Sequence, residues 1–69
     1  MAFMYRKDFD ERIRLFKEGD WIKLVVRRMG GNYQGNYQVE DKFKKVDDRG
    51  LVYLDKGLVY SYKNIVALY

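Results

Sequence analysis

Neither histidine nor cysteine occurs among the 69 residues of this chain. Imidazole bases, thiolate nucleophiles, zinc fingers, disulfides and Ser–His–Asp triads are therefore closed to it. The acid–base material left is carboxylate. Asp41, Asp47, Asp48 and Asp55 fall at expected turns, where aspartate serves the backbone. Nothing in their spacing argues for a metal site or a glycosidase-like pair. Gly30-Gly31 reads as a turn and not a phosphate loop, because no helix follows it. The residues point away from an enzyme and imply no catalytic group, metal, cofactor or small-molecule substrate. The chemistry that remains is binding.

Two clusters could do it. Tyr62-Lys63-Asn64 sets a cation beside a flat ring. A lysine can meet a phosphate and an aromatic can stack on a base. The same three residues also suit an ordinary tight turn with a packed tyrosine. Lys42, Lys44 and Lys45, with Phe43 among them, form the densest basic patch. Phe43 is expected in the core, and Asp41, Asp47 and Asp48 dilute the local charge. Arg27-Arg28 could contact phosphate but reads first as an exposed strand end whose charge protects an edge. Tyr33, Tyr37, Tyr53 and Tyr60 alternate with polar residues and read as core or interface packing. Fourteen Lys and Arg against ten Asp and Glu leave a net charge of +4, which suits a polyanionic partner.

The elements that must position these residues follow from periodicity. Phe9, Ile13 and Phe16 recur at helical spacing, so Phe3 to Lys17 is expected as a helix. Asp8 is its expected N-cap, with Glu11 completing a capping box, and Gly19 its stop. The period then drops to two. Trp21 to Arg28 is the first strand, with Ile22, Leu24 and Val26 on one face and Trp21 off it, under the helix or at a subunit contact. Met29 to Asn32 is a turn. Tyr33 to Val46 is a long second strand, bulged around Asp41-Lys42, with Gly35 at a sharp bend. Asp47 to Gly50 is a turn, Leu51 to Asp55 the third strand and Asp55-Lys56-Gly57 a hairpin turn. Leu58 to Tyr62 and Ile65 to Tyr69 are the last strands, with a single 3₁₀ turn between them.

One domain spanning 1–69 is expected: all-β with one N-terminal helix (3–17) and a five-stranded, strongly bent SH3-like barrel (20–69). So short a chain has a marginal core. With no disulfide or metal to staple it, dense aromatic packing and oligomerisation remain as supports, and aromatics are 17% of the residues. No apolar run approaches a membrane span, and Arg6, Lys7 and Asp8 interrupt any leader core, so a cytoplasmic protein without a membrane partner is expected.

Two stretches carry a family resemblance. Ile22-Lys23-Leu24-Val25-Val26, Gly30-Gly31 and Tyr33-Gln34-Gly35-Asn36-Tyr37-Gln38-Val39-Glu40-Asp41-Lys42-Phe43 are similar to the first motif of the Sm, Lsm and Hfq proteins. Leu58-Val59-Tyr60-Ser61-Tyr62-Lys63-Asn64-Ile65-Val66-Ala67-Leu68 resembles the second. Lys44 and Lys45 stand where the first motif has Met and Asn, and Ser61-Tyr62 replaces the Arg-Gly of the second. Asp41 and Asp47 are both open as the motif aspartate. The resemblance implies an Sm-like barrel that assembles into a homo-oligomeric ring, pentamer to heptamer, and binds single-stranded RNA. It puts Tyr62, Lys63 and Asn64 at the pore, with Lys42, Lys44 and Lys45 as the competing site.

Between Leu58 and Tyr69 the only charge is Lys63. Edges so apolar aggregate unless paired. The resemblance pairs the fourth strand of one subunit with the fifth of the next, so Leu58, Tyr60, Val66 and Leu68 are the expected interface. The alternative is an SH3-like adaptor barrel for a protein partner, such as a small phage or regulatory module, with a groove lined by Tyr33, Tyr37 and Tyr53. A third reading is a Tudor- or KOW-like domain, because Gly19-Asp20-Trp21-Ile22-Lys23 resembles the start of such modules.

Overall fold

The computed structural model describes residues 4–28 and 35–69. A short helix, α1 (Arg6–Ile13), precedes β1 (Trp21–Arg27), β2 (Asn36–Val46), β3 (Leu51–Leu54), β4 (Val59–Ser61) and β5 (Ile65–Leu68). A single 3₁₀ turn, Tyr62–Asn64, joins the last two strands, as expected. The strands form one antiparallel sheet in the order β4-β3-β2-β1-β5. The sheet is barrel-like because β2 serves two halves. Its first part pairs with β1 and its last part, from Phe43, with β3. The expected turn at Met29–Asn32, and Tyr33 and Gln34 after it, lie outside the described residues.

Period-two alternation builds the core. Ile22, Leu24 and Val26 point inward from β1 and are buried, as are Val52, Leu54, Ile65 and Leu68 from β3 and β5. Phe9 and Ile13 of α1 close the same cluster, with Phe9 fully buried.

The helix is shorter than expected at both ends. Tyr5 is the N-cap, in an extended conformation and without a side-chain hydrogen bond. Asp8 thus lies inside the first turn and no capping box forms, although its charge suits the helix N-terminus. Beyond Ile13 the chain tightens: Leu15 N–H donates to the Arg12 carbonyl (3.1 Å) and Phe16 N–H to that of Ile13 (3.2 Å). Gly19 is therefore not the helix stop. It sits with φ +93° in the link to β1, where its N–H donates to the Phe43 carbonyl (2.8 Å). Phe43 N–H returns a bond to the Asp20 carbonyl (2.7 Å). This tie to β2 draws the chain out of the helix before the local sequence requires it.

The bulge also moves. Asp41 is 3% exposed and keeps the inward phase of Tyr37, Val39 and Phe43. The register shifts later, between Phe43 and Lys45. A buried aspartate breaks the apolar alternation without breaking the strand. Gly35, expected inside the strand, instead precedes it at φ +144°.

Candidate nucleic-acid interface

The outer face of β2 carries the basic patch. Gln38, Glu40 and Lys42 alternate outward against the inward residues. The bulge then sets Lys44 and Lys45 against the single residue Tyr53 of β3. An extra residue in one strand breaks the in–out alternation, so Lys44 and Lys45 are both exposed while Phe43, at 6%, stays in the core. Lys45 Nζ lies 4.8 Å from the Tyr53 ring centroid, and Lys42 Nζ lies 5.9 Å from that of Trp21. None of these lysines forms an ion pair among the described residues.

Trp21 is not under the helix. The residue is 65% exposed, beside Lys42 on the outer face. Lys23 follows on the same face, and its backbone N–H and carbonyl both bond to Tyr69 (3.0 and 2.9 Å). Tyr69, 64% exposed, therefore flanks Lys23. The signal was present in the sequence: Trp21 stands out of phase with Ile22, Leu24 and Val26.

Asp41 holds this face in place from behind. Its Oδ1 accepts the Lys42 N–H (2.7 Å) and its Oδ2 the Lys56 N–H (3.0 Å). Burial pushes its pKa up, but the two backbone hydrogen bonds together with the charges of Lys56 and Lys42 hold it below the usual aspartate range. It is thus a strand residue that staples β2 to the β3–β4 turn, not the turn residue expected. Asp47 does cap a turn. It accepts from Leu51 N–H (3.0 Å), Arg49 N–H (2.9 Å) and the Tyr53 hydroxyl (3.1 Å). The Leu51 bond does most to lower its pKa, against some desolvation.

The other candidate, Tyr62-Lys63-Asn64, is built differently. Lys63 is exposed, and its N–H donates to Ser61 Oγ (3.3 Å). Tyr62 packs against the core, its ring centroid 5.7 Å from that of Phe9 and 5.0 Å from the Arg6 guanidinium. Of the two expectations for this tyrosine, stacking on a base or packing in the turn, the structure shows the packed ring. The cations nearby are engaged: Arg6 pairs with Asp10 (3.0 Å) and Arg49 with Asp47 (3.2 Å). Arg6 also donates to the Asp48 carbonyl (2.7 Å).

At the sheet edges, Leu58 and Val59 are 42% and 46% exposed, whereas Tyr60 is half-buried against the core. Leu68 is buried, so its side chain is not available to an interface. Arg12 Nη1 donates to the Leu68 carbonyl (3.3 Å). Val66 lines an open groove between α1 and β5 with Met4, Tyr5, Asp8 and Arg12. Tyr37 and Tyr53 lie on opposite faces of the sheet and line no common groove. Tyr37 packs inward, under the Arg28 guanidinium (5.4 Å), and burial together with Tyr37 pushes the Tyr60 pKa up.

Among the described residues no three His, Cys, Asp or Glu side chains come together to hold a metal, and no helix is long and apolar enough to cross a membrane. Comparison with models of known families, with curated proteins and with solved structures returns no match.

Proposed function

We propose that this chain is a non-enzymatic, cytoplasmic Sm-like module that assembles into a homo-oligomeric ring and binds single-stranded RNA. The observation that carries the binding reading is the row Lys42, Lys44 and Lys45 on the outer face of β2, exposed and without ion pairs among the described residues, two of them beside aromatic rings. Such interleaving suits a phosphate backbone with unpaired bases. The strand order supports assembly, because β4 and β5 are the two edges and their pairing between copies uses both. Lys63 is the weaker candidate, since the ring beside it is already packed.

The test compares Lys63→Ala with the triple variant Lys42→Ala, Lys44→Ala, Lys45→Ala on one short labelled oligoribonucleotide at fixed salt. Loss in the triple variant alone is expected. Loss in Lys63→Ala alone moves the site to the 3₁₀ turn. A parent chain that binds no RNA, and runs as a monomer in size exclusion with light scattering, leaves the protein-binding adaptor as the better reading.

A further inference from the structure

We propose that the outer face of β1 and β5 is a two-ring stacking platform, Trp21 and Tyr69, for bases of a single strand whose phosphates lie on Lys23 and Lys42. The inference rests on the nucleic-acid reading and adds to it Trp21, Tyr69 and Lys23, which adjoin the Lys42 end of the β2 patch.

Three features place it. Both residues keep about two-thirds of their surface in water (65% and 64%), although each is large enough to repay burial. They share one face: Lys23 and Tyr69 are a hydrogen-bonded pair (3.0 and 2.9 Å), and Trp21 lies two residues along β1 from Lys23. Trp21 and Tyr69 are therefore diagonal neighbours, about 7–8 Å apart at the backbone. Lys23 stands between them and Lys42 beside Trp21, at 5.9 Å from its ring centroid.

Charge selects the occupant. On β1 and β2 the face carries Lys23, Lys42 and Arg27 against one acid, Glu40. Glu40 stands opposite Lys23 in the strand pair, yet no ion pair forms between them. A polyanion fits that balance. Exposed ring faces fit unpaired bases, which a duplex keeps stacked on each other. Beyond Lys23 and Glu40 the next cross-strand row is Ala67, Val25 and Gln38, which adds no charge to the face.

Trp21 is the only tryptophan of the chain, so its emission reports on this face alone. The full chain is titrated with fluorescein-labelled oligouridine, and with an abasic oligomer of equal length. Label anisotropy and tryptophan emission are read together. Oligouridine is expected to quench the emission as it binds, and the abasic strand to bind more weakly without quenching. Trp21→Ser and Tyr69→Ser are each expected to lose about five- to 150-fold in affinity for oligouridine, and to bind the abasic strand like the parent. Binding without quenching, at parental affinity in Trp21→Ser, overturns the platform and leaves the β2 lysines standing. An absent anisotropy rise overturns both readings. Emission that shifts with protein concentration alone makes this face a contact between copies and overturns the platform. Should either variant misfold, quenching in the parent still decides.

Discussion

Gly50 and Tyr62 touch more closely than a side chain at position 50 would permit: a Cβ there would stand 2.5 Å from Tyr62 Cδ1. The Gly50 carbonyl accepts the Tyr62 N–H (2.9 Å), so the β2–β3 turn and the 3₁₀ turn are locked together. Arg6 and Phe9 of α1 complete the packing around the same ring. This contact explains why the tyrosine at the expected pore turn belongs to the fold.

Gly50→Ala is expected to destabilise the domain for two reasons. Its φ of +81° costs an L-residue about 1–2 kcal/mol, and the new methyl must displace Tyr62. Thermal unfolding should show a lowered Tm. Adding Tyr62→Ala removes the clash but not the backbone cost, so the double variant should lose less than the sum of the two singles. Strict additivity would show that the contact is not tight.

Acid should weaken the fold through Asp41 and Asp47. Both folded-state pKa values lie below the ordinary aspartate value of about 3.9. The unfolded chain therefore takes up protons first as pH falls. The stability these groups contribute is fully present above about pH 4, and is lost as pH drops through the folded values. Asp41→Asn turns an N–H toward a backbone N–H, so the variant should melt below the parent near neutral pH. The gap should narrow as the solution is acidified. A gap in Tm that is constant across the acid range would remove Asp41 from the acid response.

RNA binding should weaken with salt. For a single strand the slope of log affinity against log salt is about 0.7 per phosphate neutralised. The triple lysine variant should therefore lose about two from the slope, besides losing affinity. Affinity that is flat from low to high salt, measured by anisotropy, would rule out phosphate contacts on β2.

Arg12 covers the β5 edge by bonding the Leu68 carbonyl (3.3 Å). A charged side chain over an edge opposes pairing with another strand. Arg12→Ala should thus lower the concentration at which copies assemble, as a dilution series in the analytical ultracentrifuge would record. A raised threshold would mean that Arg12 contributes to the interface instead of guarding the edge.

Much of the scaffold is legible in the residues themselves. Period-two alternation places Ile22, Leu24, Val26 and Phe43 in the core, because each successive strand residue must choose between water and the opposite sheet. Glycine and aspartate mark the turns at Asp47–Gly50 and Asp55–Gly57, and the 3₁₀ turn at Tyr62–Asn64 follows from a link too short for a loop. These are local constraints, and local sequence is enough to read them.

What the tertiary structure decided is everything that depends on a distant partner. The end of α1 is set by the backbone tie of Gly19 and Asp20 to Phe43, in which Gly19 N–H donates and the Asp20 carbonyl accepts, not by a stop signal. Asp41 is buried because the Lys56 N–H, fifteen residues on, meets its carboxylate. Tyr62 is packed because Gly50 and Phe9 arrive beside it, and Trp21 is left in water on the face of β1 opposite the core cluster that Phe9 and Ile13 join. In each case the residue type permits both outcomes, and the side chain's fate is settled by which segment of chain lies against it.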